Sequence, residues 1–314
     1  MRSTANEPIV YDAVTATSRR TWVLTALALG AVWVIWGSTY LAIRFGLETL
    51  SPFFMQGCRF SIASIVLLLI VRRRQTEMPT RRQIRNAALV GILLLIGGVG
   101  MVTLAEDQGV DSGMIATLIA VQPMLMSLWG GLSGTWPKRA EWVGMTFGLA
   151  GVAVLMADRG LDGTSAGIAL VFFACFNWSL GSTLSRRFDM PVGAMAPAVE
   201  MAAAAIVFMV LSLVTNESIR MPSVRSGLAL AYLTVFGSVI AFSAFTYLIA
   251  QVRPSLAMSY AYVNPVIAVM LGALLANERL SAHLLMALPI ILLGVAVVTN
   301  APRLADRAIS QSSR

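Results

Sequence analysis

Val121-Gln122-Pro123 returns 142 positions later as Val263-Asn264-Pro265, and the reading of that pair decides the fold. Around it, Thr117 and Gly130 recur as Ser259 and Gly272, and Gly151-Val152-Ala153-Val154 recurs as Gly294-Val295-Ala296-Val297. Residues 113–157 and 255–299 are therefore one helix pair written twice. Each copy is two apolar runs joined by a short polar turn, with a proline about halfway along the first run and an amide side chain just before it. Proline has no N–H and clashes with the carbonyl four residues back, so the carbonyls of Ile119 and Ala261 lose their helical donor. In lipid, such a carbonyl must find a partner or face a watery cavity. Twin helix breaks of this kind, Pro123 and Pro265 here, are how membrane transporters build a site near the bilayer centre.

The composition agrees. The chain is 57% apolar and only 12% charged, about half the charge of a soluble protein, so a polytopic membrane protein is expected. Cys58 and Cys175 lie within apolar runs and read as small packing residues, without a disulfide or metal site. Residues 1–20 are polar and end in Arg19-Arg20; the 22-residue apolar run that follows is too long for a signal-peptide core and reads as a retained first span. With roughly 20 apolar residues per span, ten are expected, at about 22–43, 52–71, 86–105, 112–132, 140–157, 165–185, 192–214, 226–249, 255–275 and 282–299. Most connectors are short, which makes neighbouring helices antiparallel in an all-α bundle. Pro302 to Arg314 is polar and reads as a disordered cytoplasmic tail.

The basic residues set the orientation. With the N-terminus in the cytoplasm, 17 Lys and Arg fall at the cytoplasmic ends, among them Arg72, Arg73, Arg74, Arg81, Arg82 and Arg85. Only 5 fall on the other side: Arg44, Arg159, Arg220, Arg225 and Arg279. Both termini are thus expected inside. The net charge of +8 is a topology signal whose partner is anionic lipid, and it does not point to nucleic acid.

The duplication reaches further: Trp36 in the first span matches Trp178 in the sixth, and Pro52 and Pro191 open the second and seventh. The two repeats run over 22–157 (spans 1–5) and 165–299 (spans 6–10). Five is odd, so the second repeat must sit inverted, which gives the fold two near-equivalent states, one open to each side. Alternating access follows more readily than a fixed pore.

The chain resembles the EamA-type exporters of the drug/metabolite transporter superfamily. The resemblance is carried by the two five-helix repeats, Trp36-Gly37-Ser38-Thr39-Tyr40, Arg59, and Ser259-Tyr260-Ala261-Tyr262-Val263-Asn264-Pro265 running to Asn277-Glu278-Arg279-Leu280-Ser281. It covers about residues 22–300. The first half departs from it, with Thr135-Trp136-Pro137-Lys138-Arg139 in place of the acidic turn, so no role for Glu278 carries over there. The resemblance implies secondary export of amino acids or related metabolites across the bacterial cytoplasmic (inner) membrane, without nucleotide or metal, and leaves the substrate open.

Arg59 and Glu200 are ionisable residues deep in spans 2 and 7, where charge is costly and normally faces the bundle interior. They read either as structural partners or as a carboxylate anchor (Arg59) and a proton-titrating group (Glu200); direct pairing in one conformation is compatible with their depths. Trp36 and Trp178, with Ser38, Asn177 and neighbouring hydroxyls, read as cavity wall, since a midplane indole N–H needs a partner. Gln122, Asn264, Tyr260 and Tyr262 are the stronger candidates because a proline already breaks their helix. Tyr247 belongs to a polar stripe on the eighth span, which interhelical hydrogen bonding explains equally well.

Competing readings are a passive channel-like facilitator, a multidrug exporter and, remotely, an intramembrane serine protease. The last rests on Gly131-Leu132-Ser133-Gly134, but the chain's single histidine, His283, falls on the opposite face from Ser133, so no base can reach it and no enzyme is expected. The partners expected are a small-molecule substrate and the lipid bilayer, with no nucleic acid; a homodimer is left open. No cofactor and no metal are expected.

Overall fold

In a computed structural model of the chain, the described residues are 19–73, 78–132, 134, 136–157, 164–276 and 282–312. Residues 1–18, Ser133 and the Asn277–Ser281 turn with Glu278 lie outside them. Every regular element among the described residues is helical. The order is α1 (Arg19–Leu47), α2 (Pro52–Arg73), α3 (Arg81–Gly91), a π-helical stretch (Ile92–Gly100), α4 (Met101–Asp107), α5 (Ser112–Ile119), α6 (Gln122–Gly131) and α7 (Arg139–Met156). Then come α8 (Ser165–Ser185), α9 (Met195–Val214), α10 (Val224–Tyr232), a second π-helical stretch (Leu233–Phe242), α11 (Ser243–Gln251), α12 (Pro254–Ala257), α13 (Tyr260–Ala276) and α14 (Ala282–Ser312).

Seven of these helical segments are long and apolar enough to cross a membrane, among them Thr21–Leu47, Arg81–Asp107 and Val224–Gln251, and Leu285–Val298 is a shorter apolar helix. The apolar surface looks outward as well as inward. Leu27, Ile65, Leu69, Ile206 and Leu213 are each more than half exposed, as side chains that meet lipid tails should be.

Local chemistry sets the helix ends. Pro52 opens α2, where its missing N–H costs nothing, and the two carboxylate oxygens of Glu217 accept the orphan N–H groups of Phe53 and Phe54 at 3.0 and 2.8 Å. A negative charge there also meets the positive end of the helix dipole. Thr80 and Gln83 form a capping box at α3, and Thr164 and Ser223 cap α8 and α10. At α7, Glu141 in the first turn accepts from the Lys138 N–H.

Helices from the two halves pack on each other. The main pairs are α2 with α9, α7 with α14, α8 with the first π stretch, α6 with α8, and α1 with α13 and the second π stretch. Glycines allow the closest approaches: a Cβ on Gly294 would lie 2.6 Å from the Gly148 nitrogen, and one on Gly91 would lie 2.5 Å from the Glu200 carbonyl oxygen. Backbone touches backbone in both places.

Two expectations about irregular backbone need correction. In the first copy the helix breaks at Ala120-Val121, so Pro123 opens a new helix. In the second the break falls at Met258-Ser259, and Pro265 lies inside α13. The two prolines thus play different parts. The final helix also continues to Ser312, past the point where Pro302 and polar composition predict a structureless tail. Arg303, Leu304, Ala305, Arg307 and Ala308 are good helix formers, which accounts for the extension.

Candidate functional site

A cavity lies inside the bundle, with an empty volume of about 610 Å³ including the solvent at its open side. Its wall takes Trp36, Thr39, Tyr40 and Ile43 from α1, Arg59 and Phe60 from α2, and Leu95, Gly98 and Val99 from the first π stretch. Val102, Ile119, Gln122, Ala174, Trp178, Gly237, Phe242 and Tyr260 complete it. The lining runs from mid-bundle to Ile43 and Val102, close to the connectors after α1 and α4.

Five of the residues singled out from sequence meet here: Trp36, Arg59, Gln122, Trp178 and Tyr260. The centre is an aromatic cluster. Trp36 meets Trp178 and Tyr260 edge to face, with centroids 5.3 and 4.9 Å apart, and Phe245 packs behind at 5.0 Å from Trp36. Such contacts hold rings rigidly beyond what area burial alone gives. The Trp36 N–H donates to the Gly237 carbonyl at 3.2 Å, in the middle of the second π stretch. The Tyr260 hydroxyl and Gln122 Oε1 are 2.7 Å apart, with the hydroxyl donating. This bond joins the first residue of α6 to the first residue of α13, so the two helix breaks meet across the cavity wall.

Arg59 is 4% exposed and has no ion pair among the described residues. Its Nε donates to Ser238 Oγ at 2.8 Å and its Nη1 to Gln56 Oε1 at 3.3 Å, and Gln56 in turn donates to Thr103. Nη2 lies against Gly237 on the cavity wall; a Cβ on that glycine would come within 2.9 Å of it. Arg59 is therefore held by neutral groups and keeps its charge unmatched.

Glu200 does not pair with Arg59. It is fully buried where α9 crosses α3, and among the described residues both its carboxyl oxygens lack a hydrogen-bond partner. Helix facing, which depth alone cannot fix, separates the two. Five other candidates also lie off the cavity lining. Asn264, oriented by its partners, donates to the carbonyls of Tyr260 (3.0 Å) and Trp33 (3.3 Å), tying α13 to α1. The Tyr262 ring packs over Gly148, and among the described residues its buried hydroxyl has no partner. Asn177 donates to the Phe173 carbonyl and packs against Gly97. Ser38 bonds the Ile35 carbonyl and the Tyr232 hydroxyl, both at 2.6 Å. Tyr247 meets the Thr25 hydroxyl at 3.5 Å. Tyr40, Phe60 and Phe242 are cavity residues that the sequence reading passed over. Tyr40 and Ile43 could have been found, since they follow Trp36 at helical spacings of four and seven.

The far end of the bundle is tied shut by polar contacts. Glu141 Oε1 accepts from the Ser255 hydroxyl, and its Oε2 lies 3.7 Å from the Arg253 guanidinium. Arg186, at the end of α8, donates to the carbonyls of Ile249 and Val252. Together these hold α7, α8, α11 and α12 at one level.

Comparison with known proteins fits this geometry. The model of the EamA-like transporter family matches the chain twice, over residues 21–157 and 165–300. The chain is 44% identical over 273 residues to the uncharacterized inner membrane transporter YedA of Escherichia coli (strain K12), covering 87% of this chain and 89% of that one. It is 22% identical over 278 residues to a probable amino-acid metabolite efflux pump of the same strain, covering 84% and 89%. A solved crystal structure with 22% sequence identity superposes with a TM-score of 0.75, over 91% of this chain and 99% of the other, which extends the likeness to the fold. With the family's model matched by both halves and the cavity walled by residues from each, the chain belongs to the EamA-like transporter family.

Proposed function

We propose that this chain is a secondary exporter of small metabolites, amino acids or related compounds, working by alternating access in the bacterial inner membrane. Its ten spans form two inverted repeats, 22–157 and 165–299, with both termini in the cytoplasm. The observation that carries this reading is the Tyr260–Gln122 bond, where the broken helices of both repeats meet on one cavity wall. The packing pattern supports it. Spans 2 and 7 pack on each other, as do spans 5 and 10, while 3 on 6 answers 8 on 1 and 4 on 6 answers 9 on 1. A two-fold axis in the membrane plane generates that reciprocity. The π stretches fall at Ile92 and Leu233, 141 residues apart, so the second follows the first at nearly the repeat spacing.

On this orientation the cavity reaches toward the outer face, while Glu141, Ser255, Arg253 and Arg186 close the cytoplasmic end. That is one of the two states the mechanism needs; exchange with the other requires those contacts to part. Amino-acid-related substrates draw support from the distant efflux pump. The family and the cavity point to transport over catalysis.

Two experiments test the proposal. In cysteine accessibility scanning, residues 106–111 and 158–164 are expected to label from outside, and residues 72–82 and 133–139 only after permeabilisation; the reverse pattern removes both the orientation and the inverted repeat. In proteoliposomes, uptake of radiolabelled amino acids and their derivatives is expected to be saturable and to respond to an imposed proton gradient. Gradient-independent, non-saturating flux would instead indicate a facilitator.

A further inference from the structure

Resting on the transporter reading, and narrowing its amino-acid-related substrates to those without an ammonium, we propose that the cavity prefers amphipathic organic anions: a single carboxylate on a flat apolar body. Three observations lead there. First, among the residues that line the cavity the one charge is Arg59, and no Asp or Glu is among them. Within the described protein, this guanidinium has only neutral partners, Ser238 and Gln56, and Nη2 makes no hydrogen bond. A guanidinium presents several N–H donors in one plane, a match for the two oxygens of a carboxylate. A buried charge without a counter-charge is costly in a membrane interior, and an incoming anion relieves that cost.

Second, most of the rest of the wall is aromatic or apolar. Trp36, Tyr40, Phe60, Trp178, Phe242 and Tyr260 surround the space, and Trp36, Trp178 and Tyr260 are locked edge to face. A rigid aromatic wall favours a planar or compact apolar group over a flexible polar one. Aromatic rings also attract cations, but Arg59 sits 4.9 Å over the Phe60 ring and supplies that cation itself. A second positive charge would meet repulsion there.

Third, Trp178 is 5% exposed and lines the cavity, and among the described residues its indole N–H makes no hydrogen bond of normal geometry, with the Tyr260 hydroxyl close by. A buried donor so placed, beside a cationic anchor, asks for a ligand with acceptor oxygens. Gln122 Oε1, a neutral acceptor on the wall, already receives the Tyr260 hydroxyl. A zwitterionic amino acid would therefore find a place for its carboxylate but no carboxylate among the lining residues for its ammonium.

The test uses three probes that share one body and differ in charge: 3-phenylpropionate, L-phenylalanine and phenethylamine. Binding to the full-length protein in detergent is read by quenching of tryptophan fluorescence, and transport by counterflow in proteoliposomes. The expected order is 3-phenylpropionate at least tenfold tighter than phenylalanine, with no binding of phenethylamine. Arg59→Gln should remove that preference, whereas Arg59→Lys, which keeps the charge but loses the planar fork, should retain the order with weaker binding. Circular dichroism and gel filtration establish that both variants are folded. Equal or tighter binding of phenylalanine, binding of phenethylamine, or binding of none of the three would overturn the proposal. If the anion binds as expected but no counterflow occurs, the substrate class stands and the transporter reading falls. If phenylalanine is transported without the preference, the reverse holds.

Discussion

Gln122→Leu is expected to lower transport at least tenfold while the protein still inserts and accumulates at wild-type levels. The side chain accepts from the Tyr260 hydroxyl at 2.7 Å where both residues are almost wholly buried. Leucine has nearly the same size and no acceptor, so the hydroxyl is left unpaired beside the cavity. An unsatisfied buried donor costs about 1–3 kcal/mol, and it would be relieved by moving α13 relative to α6. The double variant Gln122→Leu/Tyr260→Phe separates two roles, because it removes the unpaired group together with the bond. We expect it to fold at least as well as the single variant and to remain inactive, which places the polar pair in substrate handling or gating. Recovery of transport in the double variant would mean that each group serves only to satisfy the other.

Gly294→Val is expected to act differently, by preventing the bundle from closing. A Cβ at this position would lie 2.6 Å from the Gly148 nitrogen and 2.7 Å from the Gly144 carbonyl oxygen. These are backbone atoms of the facing helix, so no rotamer change makes room, and α14 would have to move away from α7 along the whole contact. Overpacking that side chains cannot absorb costs about 3 kcal/mol or more, and the small-residue contact it disrupts is a main source of association between helices in lipid. The measurement is the yield of monodisperse protein in mild detergent and its midpoint on heating. A valine variant with wild-type yield and midpoint would show that α7 and α14 are not held at this distance. Gly30→Val, where nothing lies within 4 Å of the new Cβ, provides the control.

Much of this was legible in the sequence because bilayer chemistry leaves few alternatives. Long apolar runs must be helices, and a proline beside an amide flags a helix with an orphan carbonyl. That logic found Gln122, Tyr260, Trp36, Trp178 and Arg59, which share one cavity. It does not reach contacts that a neighbour from elsewhere in the chain decides. Asn264 matches Gln122 position for position, yet its amide reaches the Tyr260 carbonyl and, across to α1, the Trp33 carbonyl. Here Pro265 lies inside an unbroken α13, and the break falls at Met258-Ser259. Glu200 shows a related limit: depth along a helix can be counted from sequence, but which neighbours the helix meets cannot, here Gly91 of α3 against the Glu200 backbone. The π stretches carry no local signature. Gly97, Gly98 and Gly100 read equally well as ordinary small-residue contacts.

The pairing of α7 with α14 also bears on how the protein is made. Synthesis delivers the Gly144, Gly148 and Gly151 face to the membrane long before Ile291, Gly294 and Val298 exist to cover it. Glu141 likewise precedes its partner Ser255 by 114 residues. The amino-terminal half therefore waits in the bilayer with a bare glycine groove until the last helix leaves the ribosome. Residues 1–160 expressed alone should be short-lived in cells, with their lifetime restored when residues 161–314 are supplied as a separate chain, and pulse-chase labelling would show it. The late arrival of α14 makes the final helix the step at which the newborn protein escapes quality control.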